Sequence, residues 1–146
     1  MREGAGRYIR PIQPKELVDG DIKWLHIIAK MQYYGYTAEH IIADCITKDK
    51  QLWRMEGEGL SGLTITLLNR HPGGNELVIW AVAGFGFLKN LERVVEDFLA
   101  YMGQHKITWL SGVALTDKLA KAYEGLGCKR RGDVYIMDLP TTNKGD

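Results

Sequence analysis

The chain has 146 residues, 45% of them hydrophobic and 25% charged, the balance of an ordinary globular protein, and the expectation is one domain over 1–146 with an ordered core at about 8–140. Nineteen basic residues against 18 acidic ones leave a net charge of +1, which supplies no field for nucleic acid or an anionic membrane surface. No apolar run approaches the ~20 residues of a membrane span, the N-terminus has no leader-like apolar segment, and Cys45 and Cys128 fit neither a metal-ligand nor a disulfide pattern, so a cytoplasmic protein without metal, nucleic-acid partner or membrane is expected.

Residues 8–12, Tyr-Ile-Arg-Pro-Ile, are β-prone and followed closely by a second proline, as suits an edge strand. Pro14 opens a helical stretch over about 15–34, in which Leu17, Ile22, Leu25, Ile28, Ala29 and Met31 recur at mostly helical spacing. Asp19-Gly20-Asp21 marks a break in it, and Gly35 its end. Thr37 is placed to N-cap a second helix that carries Ala38, Ile41, Ile42, Cys45 and Ile46 on one face.

From Leu52 the period changes to two. Residues 52–56 and 60–68 read as strands joined by Gly57-Glu58-Gly59, and the alternation of Leu63, Ile65 and Leu67 with Thr64 and Thr66 predicts a hairpin with one face exposed. The turn 71–75 leads into 77–82, Leu-Val-Ile-Trp-Ala-Val, an unbroken apolar run expected at the middle of the sheet with both faces covered. Leu91, Val94, Val95, Phe98, Leu99 and Met102 define an amphipathic helix that ends near Gly103, and 107–114 is the next strand. In the last helix Leu119, Ala122, Tyr123 and Leu126 share a face, with Thr116-Asp117 at its start and Gly127 as a left-handed stop. Lys129-Arg130-Arg131 reads as a solvated turn, and 134–139 closes the domain. The order is β-α-α-β-β-β-α-β-α-β, a mixed α/β domain in which the long helix acts as a crossover and favours parallel pairing of its two flanking strands.

Two segments carry the chemistry. In the turn 83–90, Ala-Gly-Phe-Gly-Phe-Leu-Lys-Asn, backbone amides at the start of a helix converge on one point and favour an anion there, and glycines let that backbone come close. The same residues also make a plain tight turn with Asn90 as N-cap. In the last helix Tyr123 stands at a fixed height on a buried stripe, either as a core residue or as a positioned phenol.

The segment 119–139 resembles the C-terminal signature of the GCN5-related N-acetyltransferase superfamily, A-x-x-x-Y-x-x-x-G-F running into a final strand, with Tyr123 and Gly127 in place and Cys128 where the aromatic stands. The turn is similar to that superfamily's Q/R-x-x-G-x-G/A pattern, with Ala83 at the arginine position, Gly84 and Gly86 matching, and Leu88 for the last small residue. The element order is the same as well. The resemblance implies a GNAT-like mixed sheet whose strands four and five, 77–82 and 107–114, run parallel and splay at their C-terminal ends. It implies acetyl-coenzyme A as co-substrate, with Trp80, Val82, Ala83, Gly84, Phe85, Gly86, Phe87, Leu88, Lys89 and Thr116 contacting it; Thr116 takes a position where an asparagine is common. Tyr123 becomes the acid that protonates the departing thiolate, and Glu58, Glu76, His26 and His40 are candidates for the base. The acceptor is an amine on a small molecule or a protein, with the aromatic cluster 31–36 lining its pocket or packing on the hairpin. The alternative is the same fold without turnover, a binding or structural module such as a phage virion component, whose partner is a second copy or the virion assembly.

Overall fold

A computed structural model describes residues 8–32, 34–113, 116–131 and 134–138. The chain runs β1 (Ile9–Ile12), a one-turn 3-10 helix (Pro14–Glu16), α1 (Asp19–Met31), α2 (Ala38–Ile46), β2 (Gln51–Gly57), β3 (Leu60–His71), β4 (Gly74–Phe85), α3 (Leu91–Gln104), β5 (Trp109–Val113), α4 (Asp117–Gly125), β6 (Lys129–Arg131) and β7 (Val134–Asp138). The strands form one seven-stranded sheet in the order β1-β2-β3-β4-β5-β7-β6. All neighbours pair antiparallel except β4 and β5, which are parallel, as the crossover through α3 requires. Among the described residues no helix is long and apolar enough to cross a membrane.

Helices cover both faces. On one, Leu25 and Ile28 of α1 and Ile41 and Cys45 of α2 pack on Leu52, Leu63, Ile65, Ala81 and Ala83. On the other, Leu91, Val94, Val95, Phe98 and Met102 of α3, with Tyr123 of α4, pack on Trp53, Leu60, Leu77, Ile79 and Leu110. Each fully buried large side chain in these layers contributes roughly 1.5–3 kcal/mol, and α3, with five such positions on one stripe, is the most firmly seated helix.

Several expectations change in detail. The first helix starts at Asp19 and stops at Met31, because the Asp21 carboxylate accepts the Val18 amide (3.1 Å) and so fixes the helix start three residues upstream. The hairpin β3–β4 extends through most of the expected turn, pairing His71 with Gly74. Thr64 and Thr66 are fully buried, not exposed; α3 covers the face that the alternation left polar. Trp53 Nε1 donates to Thr66 Oγ1 at 2.8 Å, whereas Thr64 Oγ1 has no hydrogen-bond partner among the described residues. Lys129–Arg131 is a short edge strand paired with β7 rather than a turn, and its exposed Lys129 and Arg130 leave an edge unattractive to further strands.

The register of β3 on β4 jumps from Ile65↔Ala81 to Thr66↔Ile79, leaving Trp80 as the extra residue of a β-bulge. The bulge inverts the side-chain phase of β4. Before it, Leu77 and Ile79 face α3; after it, Ala81 and Ala83 face α1 and α2, and Val82 packs toward α3.

Candidate functional site

β4 and β5 pair over only four positions, from Glu76↔Trp109 to Ile79↔Gly112. Beyond Ile79, β4 runs on through Phe85 held by β3 alone, while β5 stays with β7. The two parallel strands therefore part at their C-terminal ends, and the bulge at Trp80, directly after the last pair, is the bend that turns β4 away. Ala114, the last position of the expected strand, lies outside the described residues.

α4 places Tyr123 over this fork. Gly127 (φ 88°) takes the left-handed stop, with its amide on the Glu124 carbonyl (3.0 Å) and the Cys128 amide on the Tyr123 carbonyl (3.1 Å), a Schellman ending that anchors the last turn at Tyr123 itself. The ring is 4% exposed. Its hydroxyl would lie 3.0 Å from a Cβ added at Gly112, so the missing side chain at the last β4–β5 pair is what admits the phenol. Burial raises the Tyr123 hydroxyl to about 12, which keeps it protonated throughout the physiological range.

In the turn after β4 the amides of Asn90 and Leu91 bond back to Gly86, Phe87 and Leu88 carbonyls. Among the described residues no backbone carbonyl accepts from the amides of Phe87, Leu88 or Lys89, and these groups stand free for an anion at the head of α3. Asn90 occupies the N-cap position, but its side chain does not accept from the helix; its Nδ2 donates to the Gly86 carbonyl at 2.8 Å and closes the turn. The glycines have a packing reason. A Cβ on Gly84 would meet the Ser61 carbonyl oxygen at 2.1 Å, and one on Gly86 the Gly59 oxygen at 1.8 Å.

The structure divides the expected contact residues between two faces. Val82, Phe87 and Tyr123 belong to the α3-side cluster; Trp80 and Ala83 belong to the α1/α2 side. There Trp80 packs edge-on against Tyr36 (5.1 Å) with Lys50 Nζ 4.6 Å from its ring centroid, so of the expected aromatic cluster Tyr36 packs inward, Tyr34 is 86% exposed, and Tyr33 lies outside the described residues. Phe85 is exposed and meets Trp24 edge-on at 5.4 Å. Leu88 and Lys89 are exposed on the turn. Thr116 accepts the Leu119 amide at 3.1 Å and caps α4.

Of the four candidate bases, Glu58 and His26 are exposed, and His40 is tied to Thr37 in the start of α2. Glu76 is different. It accepts from Ser111 Oγ (2.5 Å) and contacts His71 Nε2 (2.7 Å) on the sheet face opposite Leu77, hence opposite Tyr123. Burial pushes its carboxyl up, but hydrogen bonds from Ser111, His71 and Asn69 outweigh that, and the net displacement is downward.

No protein-family model matches the sequence, and no curated protein matches it. Solved structures do. A chain of the NatC complex bound to Gag peptide and CoA superposes with a TM-score of 0.60 at 14% identity, over 92% of this chain and 98% of that one. Ard1 from Thermoplasma volcanium gives 0.55 at 14%, over 91% and 97%, and a GNAT-family acetyltransferase from Staphylococcus aureus Mu50 gives 0.54 at 13%, over 90% and 99%. The chain has the GNAT acetyltransferase fold. Within that fold the parallel pairing of β4 with β5 was legible from the apolar run and the crossover helix, and their parting only from the resemblance; Gly112 was not legible, since one glycine in a strand gives no hint that a phenol from another element needs its space.

Proposed function

We propose that the protein transfers an acetyl group from acetyl-coenzyme A to an amine on a small molecule or a protein. The observation that carries this reading is the Tyr123 hydroxyl against Gly112, where the parallel strands part. In this reading the pantetheine arm enters the gap beside β4, where Val82 and the backbone beyond the bulge offer unpaired groups, and the pyrophosphate lies against the free amides of Phe87, Leu88 and Lys89. Lys89 supplies the cation that Ala83 does not. The amine nitrogen attacks the thioester carbonyl, the C–N bond forms, and the C–S bond breaks with its electron pair leaving on sulfur. Against an ordinary thiol near 8.5, a phenol at about 12 would give up its proton at a cost of about 5 kcal/mol. Tyr123 therefore acts chiefly as a hydrogen-bond donor to the charge developing on sulfur. The amine proton passes to Glu76 through water, and from there to solvent.

A thermal-shift series tests this reading. Acetyl-coenzyme A raises the melting temperature by mass action, and Leu88→Glu, an exposed position, abolishes the rise without harming the fold by placing an anion at the phosphate spot. Tyr123→Phe keeps the rise and lowers thiol release with an amine panel by about 10²–10³-fold, the loss of one hydrogen-bond donor to developing charge. Gly86 is unsuited as a probe, because any side chain there strikes Gly59.

One observation favours a second reading, a fold kept as a binding or structural module whose partner is a second copy or a virion assembly. Packing against residues 59–62 accounts for Gly84 and Gly86 without any ligand. No thermal response to acetyl-coenzyme A, together with no turnover on any amine, would select it.

A further inference from the structure

A cavity of about 310 Å³ lies where β2 begins and α3 ends, lined among others by Trp53, Leu77, Tyr101, His105, Ile107 and Lys48. The length of α3 alone separates it from the turn at residues 86–90 by about 20 Å, so it is not part of the transfer site. Part of its wall is aromatic, beside aliphatic side chains and the charged Lys48, Asp49 and Lys50. Tyr101 and His105 stack at 4.0 Å and 20° between planes, and Tyr101 meets Trp53 edge-on at 4.8 Å. His105 Nδ1 donates to the Tyr101 carbonyl at 2.9 Å, which fixes the ring and leaves Nε2 for another partner. The size falls at the small end of ligand pockets.

The backbone adds a second observation. Among the described residues only two non-glycine positions have positive φ, Lys48 (69°) and Lys106 (57°). Each is the residue after a helix C-cap. The Lys48 and Asp49 amides bond to the Cys45 and Asp44 carbonyls at the end of α2, and the Ile107 amide bonds to the Met102 carbonyl at the end of α3. These are Schellman-type endings, in which glycine sits free of strain and a residue with a Cβ does not. Both helices end beside this one cavity: Lys48 lines it, and Lys106 stands between its lining residues His105 and Ile107. The helix dipole favours a cation somewhere in the last turn, but it gives no reason to put one at the single strained position. Lys48 makes no ion pair among the described residues. Its neighbours do: Lys50 holds Asp44 at 2.9 Å, and Asp49 accepts from Thr47 at 3.0 Å.

We propose that this cavity is a second binding site and takes a small planar aromatic carboxylate, with its ring against the Tyr101–His105 stack and its carboxylate at Lys48. Strain stored at a left-handed lysine is retained because it positions the ammonium at the mouth. The site is independent of acetyl transfer and operates whether or not the chain is an enzyme.

The test titrates 1-naphthoate and its uncharged counterpart 1-naphthalenemethanol into the full chain while the four tryptophan indole N–H signals are followed by NMR. Saturable binding of naphthoate, with the Trp53 signal moving and those of Trp24 and Trp80 still, is expected. Lys48→Gly should raise the melting temperature by about 2–4 °C, since it relieves the left-handed strain, while weakening naphthoate about fivefold or more and leaving the alcohol unaffected. Leu68→Trp, at an exposed rim position, should block both compounds. No saturable shift up to ~10 mM, movement at Trp24 or Trp80 instead, equal affinity for the alcohol, or unchanged naphthoate affinity in Lys48→Gly would each overturn the proposal.

Discussion

Gly112 and Tyr123 act as one spatial unit, although they come from different elements and only one of them carries a functional group. Adding a methyl group at Gly112 puts a carbon 3.0 Å from the hydroxyl and 3.3 Å from the ring carbon that bears it, so Gly112→Ala should cost about 1–3 kcal/mol as overpacking. In a Tyr123→Phe background the hydroxyl is gone and the cost should shrink by about 0.5 kcal/mol or more; urea unfolding of the four-membered cycle measures this coupling. Thr64 offers the opposite experiment. Its hydroxyl is fully buried between Trp53 and Val82 on the neighbouring strands and has no hydrogen-bond partner among the described residues. Thr64→Val keeps the shape and removes the desolvated group, and should stabilise the protein by about 1 kcal/mol, read as a rise in the denaturation midpoint at constant m-value.

Element by element, the join between α1 and the sheet rests on one carboxylate. Asp21, with a side chain 7% exposed, accepts the Val18 amide and holds Arg54 of β2 at 2.5 Å, while the same guanidinium nitrogen donates to the Glu16 carbonyl at 2.8 Å. Asp21→Ala strands a cation that is itself mostly buried and uncaps the helix; a loss of about 3–5 kcal/mol is expected, with chemical denaturation as the measurement. From the sequence this residue reads only as part of a break. Helices α2 and α3 were legible because their apolar positions repeat at helical spacing, and α4 because Gly127 stops it. The parallel pairing of β4 with β5 followed from the crossover. The bulge at Trp80 left no trace, since an apolar run with both faces covered has no phase to lose, and β6 was hidden because three basic residues carry no apolar alternation. The buried threonines were misread for a related reason: alternation shows which side chains differ, and only the packing of α3 shows that both faces are covered.

At the scale of the whole molecule, two buried acids tie stability to alkaline pH. Burial raises the Cys45 thiol from 9.0 to about 11 and the Tyr123 hydroxyl from 10.0 to about 12. Below the unfolded-state values both groups are protonated in either state and their contribution is whole; as pH rises, the unfolded chain releases these protons first and the folded state loses ground. Stability should thus fall between pH 9 and 12, by roughly 2–3 kcal/mol for each group across its own window. Urea midpoints at successive pH values measure the fall, and Cys45→Ala should flatten the part between 9 and 11. A different consequence follows from the contact of Gly84 with the start of β3 and of Gly86 with the β2–β3 turn. Because a side chain at either position collides with neighbouring backbone, natural selection for mere foldability preserves both glycines. A lineage that abandoned catalysis would go on inheriting them unchanged, while Ala83 and Leu88, which no such collision guards, would be the first to drift.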